Sequence, residues 1–352
     1  MDTAQANGWS PDILGPGFEA LTLDLRSDDE GPVVATLVRS LPSAPQLRHL
    51  RPVARPLDDV DILYIHGWSD YFFQTQLARF FTDRGARFFA LDLRKYGRSL
   101  RPGQTAGFIT DLTEYDEDIE AALTVIKQDL PPGTKPRRLI PMGHSTGGLI
   151  WSLWVARHPG AASALILNSP WLEFQLSATV RTAIAPIVNL QASLTPHNAA
   201  PNIDFGFYAR AQRACADPAQ PMVINEAWRP EHTTAVRAAW LKAILVGHAT
   251  VQAGLDIKVP ICVLLSEKFA PPTRWSDQLT RCDTVLVVDE IAKAALKLGQ
   301  TVTVNRISGA IHDVFLSRRK ARADAYRRME DWFSGVAARP EPGARRAFKL
   351  PF

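Results

Sequence analysis

Residues 143–147 read Gly-His-Ser-Thr-Gly, a G-x-S-x-G pattern set between the apolar run LIPM and the helix-like GLIWSLWVARH. A serine between small residues at a strand-to-helix junction sits on a tight turn that pushes its Oγ clear of the sheet. The helix that starts there points backbone N–H groups, that of Thr146 first, at the place where negative charge would develop. The chemistry implied is nucleophilic attack on a carbonyl carbon by Ser145, with Thr146 donating to the oxyanion.

A serine hydroxyl needs a base within hydrogen-bond reach, and the base needs a carboxylate to orient it. Of eight histidines, His312 lies in RISGAIHDVFLSRR, after the last strand candidate and before a C-terminal helix. A loop there can lower an imidazole onto the carboxyl edge of a sheet. His197, His232 and His248 fall in a later insertion, and His144 belongs to the serine turn. His49 lies in an early linker and His158 closes the helix after Ser145. For the acid, the order Ser…Asp…His has to hold, and Asp283 in TRCDTVLVVDEI is chosen because it follows the 259–266 strand after a loop, ahead of His312. Glu267 at a strand end, Asp277 in the following loop and Asp289 at a helix start stand as alternatives. A second oxyanion donor should come from the loop IHGWSDYFFQ, 65–74, where Gly67 allows a close turn and the Trp68 N–H is placed to donate. His66 is read as a residue that fixes this loop.

The elements that must hold these residues alternate. Short apolar runs at 61–67, 86–93, 137–145 and 163–170 are separated by helical patterns near 71–84, 111–129 and 147–158. That rhythm predicts a parallel, doubly wound sheet covered on both faces. FEALTLDL (18–25) and GPVVATLVR (31–39) precede it as antiparallel strands. After Pro170 the rhythm stops until KVPICVLLS (258–266). So long an interval is too long for a bare loop. Its helical stretches, HTTAVRAAWLKAILVGHATV (232–251) among them, predict an inserted helical cap. Strands near 259–266 and 301–307 and a helix near 320–335 complete the chain. The expected divisions are a core from 1–170 and 256–340, a cap from 171–255, and a basic, peripheral tail at 341–352.

Composition narrows the class. The chain has 352 residues, 46% of them hydrophobic and 22% charged, which are globular proportions. Cys215, Cys262 and Cys282 show no paired ligand spacing, so neither a disulfide scaffold nor a cysteine zinc site is expected. No metal or organic cofactor is required by the chemistry. The opening MDTAQANGWSPD lacks a basic then apolar leader, and no apolar run is long enough to span a bilayer, so no stable membrane insertion and a cytoplasmic address are expected. The net charge is only +4. Arg318, Arg319, Lys320, Arg322, Arg327, Arg328, Arg345, Arg346 and Lys349 gather near the C-terminus without interleaved aromatics, which suits a solvated face rather than a nucleic-acid platform. Oligomeric state stays open, a homodimer included.

The pattern resembles the α/β-hydrolase superfamily, within it the branch of monoacylglycerol lipases, lysophospholipases and serine aminopeptidase-like hydrolases. The residues that carry the likeness are YIHGWSDY (64–71), ALDLRKYGRS (90–99), PMGHSTGG (141–148), LILNSPWL (165–172), CDTVLVVDEI (282–291) and SGAIHDVFLS (308–317). The resemblance implies an eight-stranded, mostly parallel sheet with a helical cap after the sixth strand. It implies a Ser145–Asp283–His312 set with oxyanion donors at Trp68 and Thr146, acting on small or medium apolar esters. One departure is the acid, which arrives about sixteen residues past Glu267, where many relatives have it within three or four; the longer connection is expected to rim the pocket through Phe269, Trp275 or both. Trp171, Phe174, Phe205, Phe207, Tyr208, Trp228 and Trp240 are candidate lining for an apolar acyl group. An amide or peptide hydrolase of the proline-iminopeptidase type would use the same set and add cap acids, with Asp204, Glu226 and Glu231 available. A non-catalytic binding protein on this fold is the alternative from another class.

Overall fold

In the computed structural model, residues 8–42, 56–174, 188, 190–199 and 204–337 are described; the expected tail at 341–352, most of the linker before residue 59 and His49 lie outside them. One sheet of nine strands runs in the order β1-β2-β3-β5-β4-β6-β7-β8-β9. Its members are β1 (Ser10–Pro11), β2 (Phe18–Asp24), β3 (Val34–Ser40), β4 (Val60–Ile65), β5 (Arg87–Asp92), β6 (Arg138–His144), β7 (Leu165–Asn168), β8 (Ile261–Ser266) and β9 (Val302–Ile307). The first three and the β3–β5 pair are antiparallel, and β5 through β9 are parallel. The ninth strand, beyond the eight expected, is the two-residue β1, which pairs only with β2 at the antiparallel edge.

Side chains alternate across the sheet as a period of two requires. In β4, Leu63 and Ile65 enter one core while Val60, Ile62 and Tyr64 enter the other; in β8, Ile261, Val263 and Leu265 oppose Cys262 and Leu264. Helices α2 (Tyr115–Gln128) and α3 (Thr146–Arg157) cover the first face, while α1 (Thr75–Thr82) covers the second. Ten of the twelve residues of α3 are buried, which makes it the central helix of the molecule. Tyr115 begins α2 after a capping box in which Asp111 accepts from Thr113 N and Glu114 reaches back to Asp111 N.

Between β7 and β8 lies the inserted helical region, with α4 (Phe207–Cys215) and α5 (Ala238–Ala253); residues 190–194 are also helical. The helix expected over 232–251 starts six residues later. The chain before it is held extended by hydrogen bonds to other segments, Thr233 N to Asp204 Oδ2 and Thr234 N to Ser69 Oγ. Helices α6 (Val288–Ala295) and α7 (Arg319–Ala337) close the fold. The basic residues of α7 and its approach are largely paired: Arg318 with Asp277, Arg322 with Asp217, and Arg327 and Arg328 with Asp324. Arg319, Lys320 and Arg327 are exposed, whereas Arg322 is buried. Among the described residues no helix is long and apolar enough to cross a membrane.

Candidate active site

Ser145 stands between β6 and α3 with φ 52° and ψ −116°, a conformation that costs an L-residue of order 1–3 kcal/mol and persists only when its surroundings enforce it. The enforcement is steric. A Cβ on Gly143 would collide with the Gly147 carbonyl, and one on Gly147 would collide with the carbonyl oxygens of Ile65 and His66. Only glycine at both positions lets the helix start directly against the end of β4. The Ser145 N–H donates to Asn168 O at 3.0 Å, and its carbonyl accepts from Gly148 N and Trp171 N at 3.0 and 2.9 Å.

The loop after β4 lies against this turn. A Cβ on Gly67 would sit 3.1 Å from Ser145 Cβ. His66 anchors the loop: its Nε2 accepts from Leu93 N at 3.1 Å, so Nδ1 carries the proton and donates to Gly67 O at 2.7 Å. That bears out the anchoring role read from the sequence. Trp68 packs against Trp240 of α5, ring centroids 3.9 Å apart and planes tilted by 44°, and meets Tyr96 edge-on. Among the described residues, neither the Trp68 N–H nor the Thr146 N–H donates to a protein acceptor, and both residues line the same cavity as Ser145.

Asp283 is fully buried. Its Oδ1 accepts from Val285 N and Leu286 N at 2.7 and 2.8 Å, and its Oδ2 accepts from His312 Nδ1 at 2.8 Å. With Nδ1 donating to a carboxylate, the lone pair of neutral His312 resides on Nε2. The long connection after β8 is resolved by a short parallel bridge, Phe269 with Asp283. Asp283 N donates to Lys268 O at 2.8 Å and Ala270 N to Asp283 O at 2.9 Å. The chain leaves the strand, loops through 271–282, and returns to the strand's own continuation. The rival acids are spent elsewhere. Glu267 is exposed, Asp277 pairs with Arg281 and Arg318, and Asp289 pairs with Arg306.

Ser145 and His312 line one cavity of about 360 Å³, although no hydrogen bond joins them among the described residues. Such contacts are commonly long before substrate binds. Trp171, Phe205, Phe207 and Tyr208 line the cavity, as expected; Phe174, Trp228 and Trp240 do not. Trp240 is core, and Trp228 packs edge-on against Tyr71. The long connection reaches the cavity through Pro272 and not through Phe269 or Trp275, because Trp275 is held one layer back by Phe207 and by the Arg210 guanidinium 4.0 Å above its ring.

Sequence reasoning missed two sets of buried polar groups. Asp70 and Arg229 pair at 2.8 Å in the cavity wall; burial opposes the guanidinium charge, but Asp70, Tyr208 and Asp313 together outweigh it and raise the pKa. The other set surrounds Asn168, at the carboxyl end of β7. A polar residue closing an apolar strand at that edge, as in LILNSP, is the signal available for it. His144, beside Ser145, has its pKa lowered by burial, and its Nδ1 reaches Asn168 O at 3.1 Å. No cluster of three or more metal-ligating side chains occurs among the described residues.

A largely parallel sheet in this strand order, turning into a helix through a serine with positive φ, defines a serine hydrolase of the α/β-hydrolase superfamily. Residues 59–317 match the family described as serine aminopeptidase, S33, and the chain belongs to it. It is 26% identical over 258 residues to a monoacylglycerol lipase of Mycolicibacterium smegmatis, a match covering 72% of this chain and 81% of that protein. The fold is similar to that of a soluble variant of the Saccharomyces cerevisiae monoglyceride lipase solved with a substrate analogue. The TM-score there is 0.59 at 16% identity, over 90% of this chain and 96% of the other. A monoacylglycerol lipase of Paleococcus ferrophilus gives 0.54 at 15% identity, over 78% and 94%.

Proposed function

We propose that this hydrolase cleaves carboxylic esters with small or medium apolar acyl groups, in the manner of monoacylglycerol lipases and lysophospholipases, through an acyl-enzyme on Ser145. The observation that carries the reading is the buried Asp283–His312 pair lining one cavity with a serine on a strained turn. His312 Nε2 takes the Ser145 proton as Oγ attacks the carbonyl, and Asp283 holds the ring in that tautomer and offsets its charge. The N–H groups of Trp68 and Thr146 receive the oxyanion. His312 then protonates the leaving alkoxide, and water activated by the same nitrogen releases the acid. The step needs no cofactor.

The aromatic wall of Trp171, Phe205, Phe207 and Tyr208 supports an apolar acyl group. The amide or peptide alternative draws on cap acids, and two of the three candidates, Asp204 and Glu231, do line the cavity. Both are already engaged: Asp204 accepts from Gly206 N and Thr233 N, each at 2.8 Å, and Glu231 pairs with Arg213. Glu226 is exposed and lies outside the cavity lining. A free amine would share those carboxylates with their present partners, so neither is set aside for it, which favours the ester. The cytoplasmic address belongs to the same proposal and is supported by three free, buried cysteines, as does the division into core, cap (171–255) and tail (341–352).

The test is hydrolysis of p-nitrophenyl esters from C2 to C12 by wild type and S145A, beside aminoacyl p-nitroanilides. Ester turnover with a chain-length optimum, lost by about 10⁴-fold or more in S145A, is expected. Turnover of anilides alone would install the peptidase alternative, and inactivity on both sets a binding role.

A further inference from the structure

Two catalytic loops arise from opposite sides of a strand that carries neither. Ser145 follows β6, His312 follows β9, and β7 and β8 lie between. Their spacing must be set by whatever bridges that gap. Asn168, fully buried at the end of β7, touches both loops. Its carbonyl accepts the Ser145 N–H at 3.0 Å and the His144 Nδ1 proton at 3.1 Å. Its side-chain Nδ2 donates to Asp313 Oδ1 at 2.7 Å, and its Oδ1 accepts from Val314 N at 3.2 Å. Asp313 is the residue after His312. It also accepts from Phe315 N at 2.9 Å and from Gln74 Nε2 at 3.1 Å, and its own N–H donates to Tyr208 Oη at 3.2 Å. On β8 next door, Ser266 Oγ donates to Ala310 O at 2.7 Å, and the following Lys268 carbonyl receives Asp283 N.

Building on the roles proposed for Ser145 and His312, we propose that Asn168 and Asp313 are positioning residues, a buried clamp that fixes the serine turn and the histidine loop at their working separation. The arrangement is costly unless it is complete. Asp313 is a carboxylate 1% exposed, tolerated because three donors satisfy it. Asn168 uses both ends of its amide on the histidine loop and its backbone on the serine turn, so it cannot shift toward one without pulling on the other. An apolar residue at 168 would leave the Asp313 carboxylate short of a donor and free the loop to relax; of the aromatic wall, Tyr208 is joined to that loop through Asp313 N, while Phe205 and Phe207 make no hydrogen bond to it. The effect falls on kcat and not on KM.

The experiment compares N168A, D313A, the double variant, D313N and S145A on the preferred p-nitrophenyl ester. Rates of the variants that keep Ser145 are normalised to sites titrated by a fluorophosphonate probe, so that a misfolded fraction does not count, and S145A is normalised to folded protein measured by thermal unfolding. N168A and D313A each lose about 10- to 100-fold in kcat with KM within about twofold of wild type. The double variant loses less than the sum of the two single losses, because both remove the Asn168 Nδ2–Asp313 Oδ1 contact that they share. D313N, which keeps an acceptor for Asn168 and Phe315 N but turns a donor toward Gln74 Nε2, recovers part of what D313A loses. Full kcat per titrated site in N168A, or losses that simply add, would overturn the clamp while leaving the ester reading intact. S145A as active as wild type would overturn the ester reading instead.

Discussion

Asp283 owes its proposed role to its neighbours more than to its position in the chain. Two backbone N–H groups hold one oxygen, and the other is left for His312. Such a carboxylate is pre-aimed, and replacing it isosterically puts a donor where His312 needs an acceptor. D283N is therefore expected to lower kcat by roughly 10⁴-fold with little loss of stability, whereas E267Q, at an exposed carboxylate, stays near wild type. Steady-state kinetics on one ester separates the two, and a loss in E267Q with D283N near wild type would reassign the acid. Ser145 and His312, the proposed nucleophile and base, stand out in the sequence because local patterns surround them, a glycine-flanked turn and a loop before a helix. Asp283 stands out less: what returns it to the strand is a bridge with Phe269, formed across a loop that local pattern does not describe.

The serine turn is the element on which the fold's geometry is tightest. β6 and α3 meet so closely that two glycines have no room for a methyl group, and in one case the obstruction is the backbone of β4. G147A must push α3 away from the carbonyls of Ile65 and His66, moving the loop that carries Trp68. We expect a fall in Tm of several degrees together with near-complete loss of turnover, measured by thermal unfolding and ester assay. A variant that keeps Tm and activity would mean that the turn yields more readily than its packing indicates. At this scale most of the architecture is readable, since the helices near 71–84, 111–129 and 147–158 lie within a few residues of Thr75–Thr82, Tyr115–Gln128 and Thr146–Arg157. The inserted region is harder. Its order comes from partners far away in the chain, such as Thr234 on Ser69, and periodicity carries no record of them.

For the molecule as a whole, the inserted region is fastened to the core beside the proposed oxyanion loop. Ser69 Oγ accepts from Thr234 N at 3.1 Å, Asp70 pairs with Arg229, and Tyr71 Oη accepts from Asn225 N at 2.7 Å. Asp70 and Arg229 are separated by 159 positions, so nothing in local spacing announces the pair. Breaking it from one side strands a buried charge: R229M is expected to cost about 3–5 kcal/mol, and R229M/D70N to regain much of that, read by denaturant unfolding. If R229M unfolds at the wild-type midpoint, the pair contributes nothing to holding cap on core. The three fastenings act on the residues immediately after Trp68. An engineer who grafts a relative's cap here to change selectivity would therefore be re-aiming a proposed catalytic N–H at the same time, and a chimaera that keeps its native 66–74 loop beneath a foreign cap should bind new esters well before it turns them over.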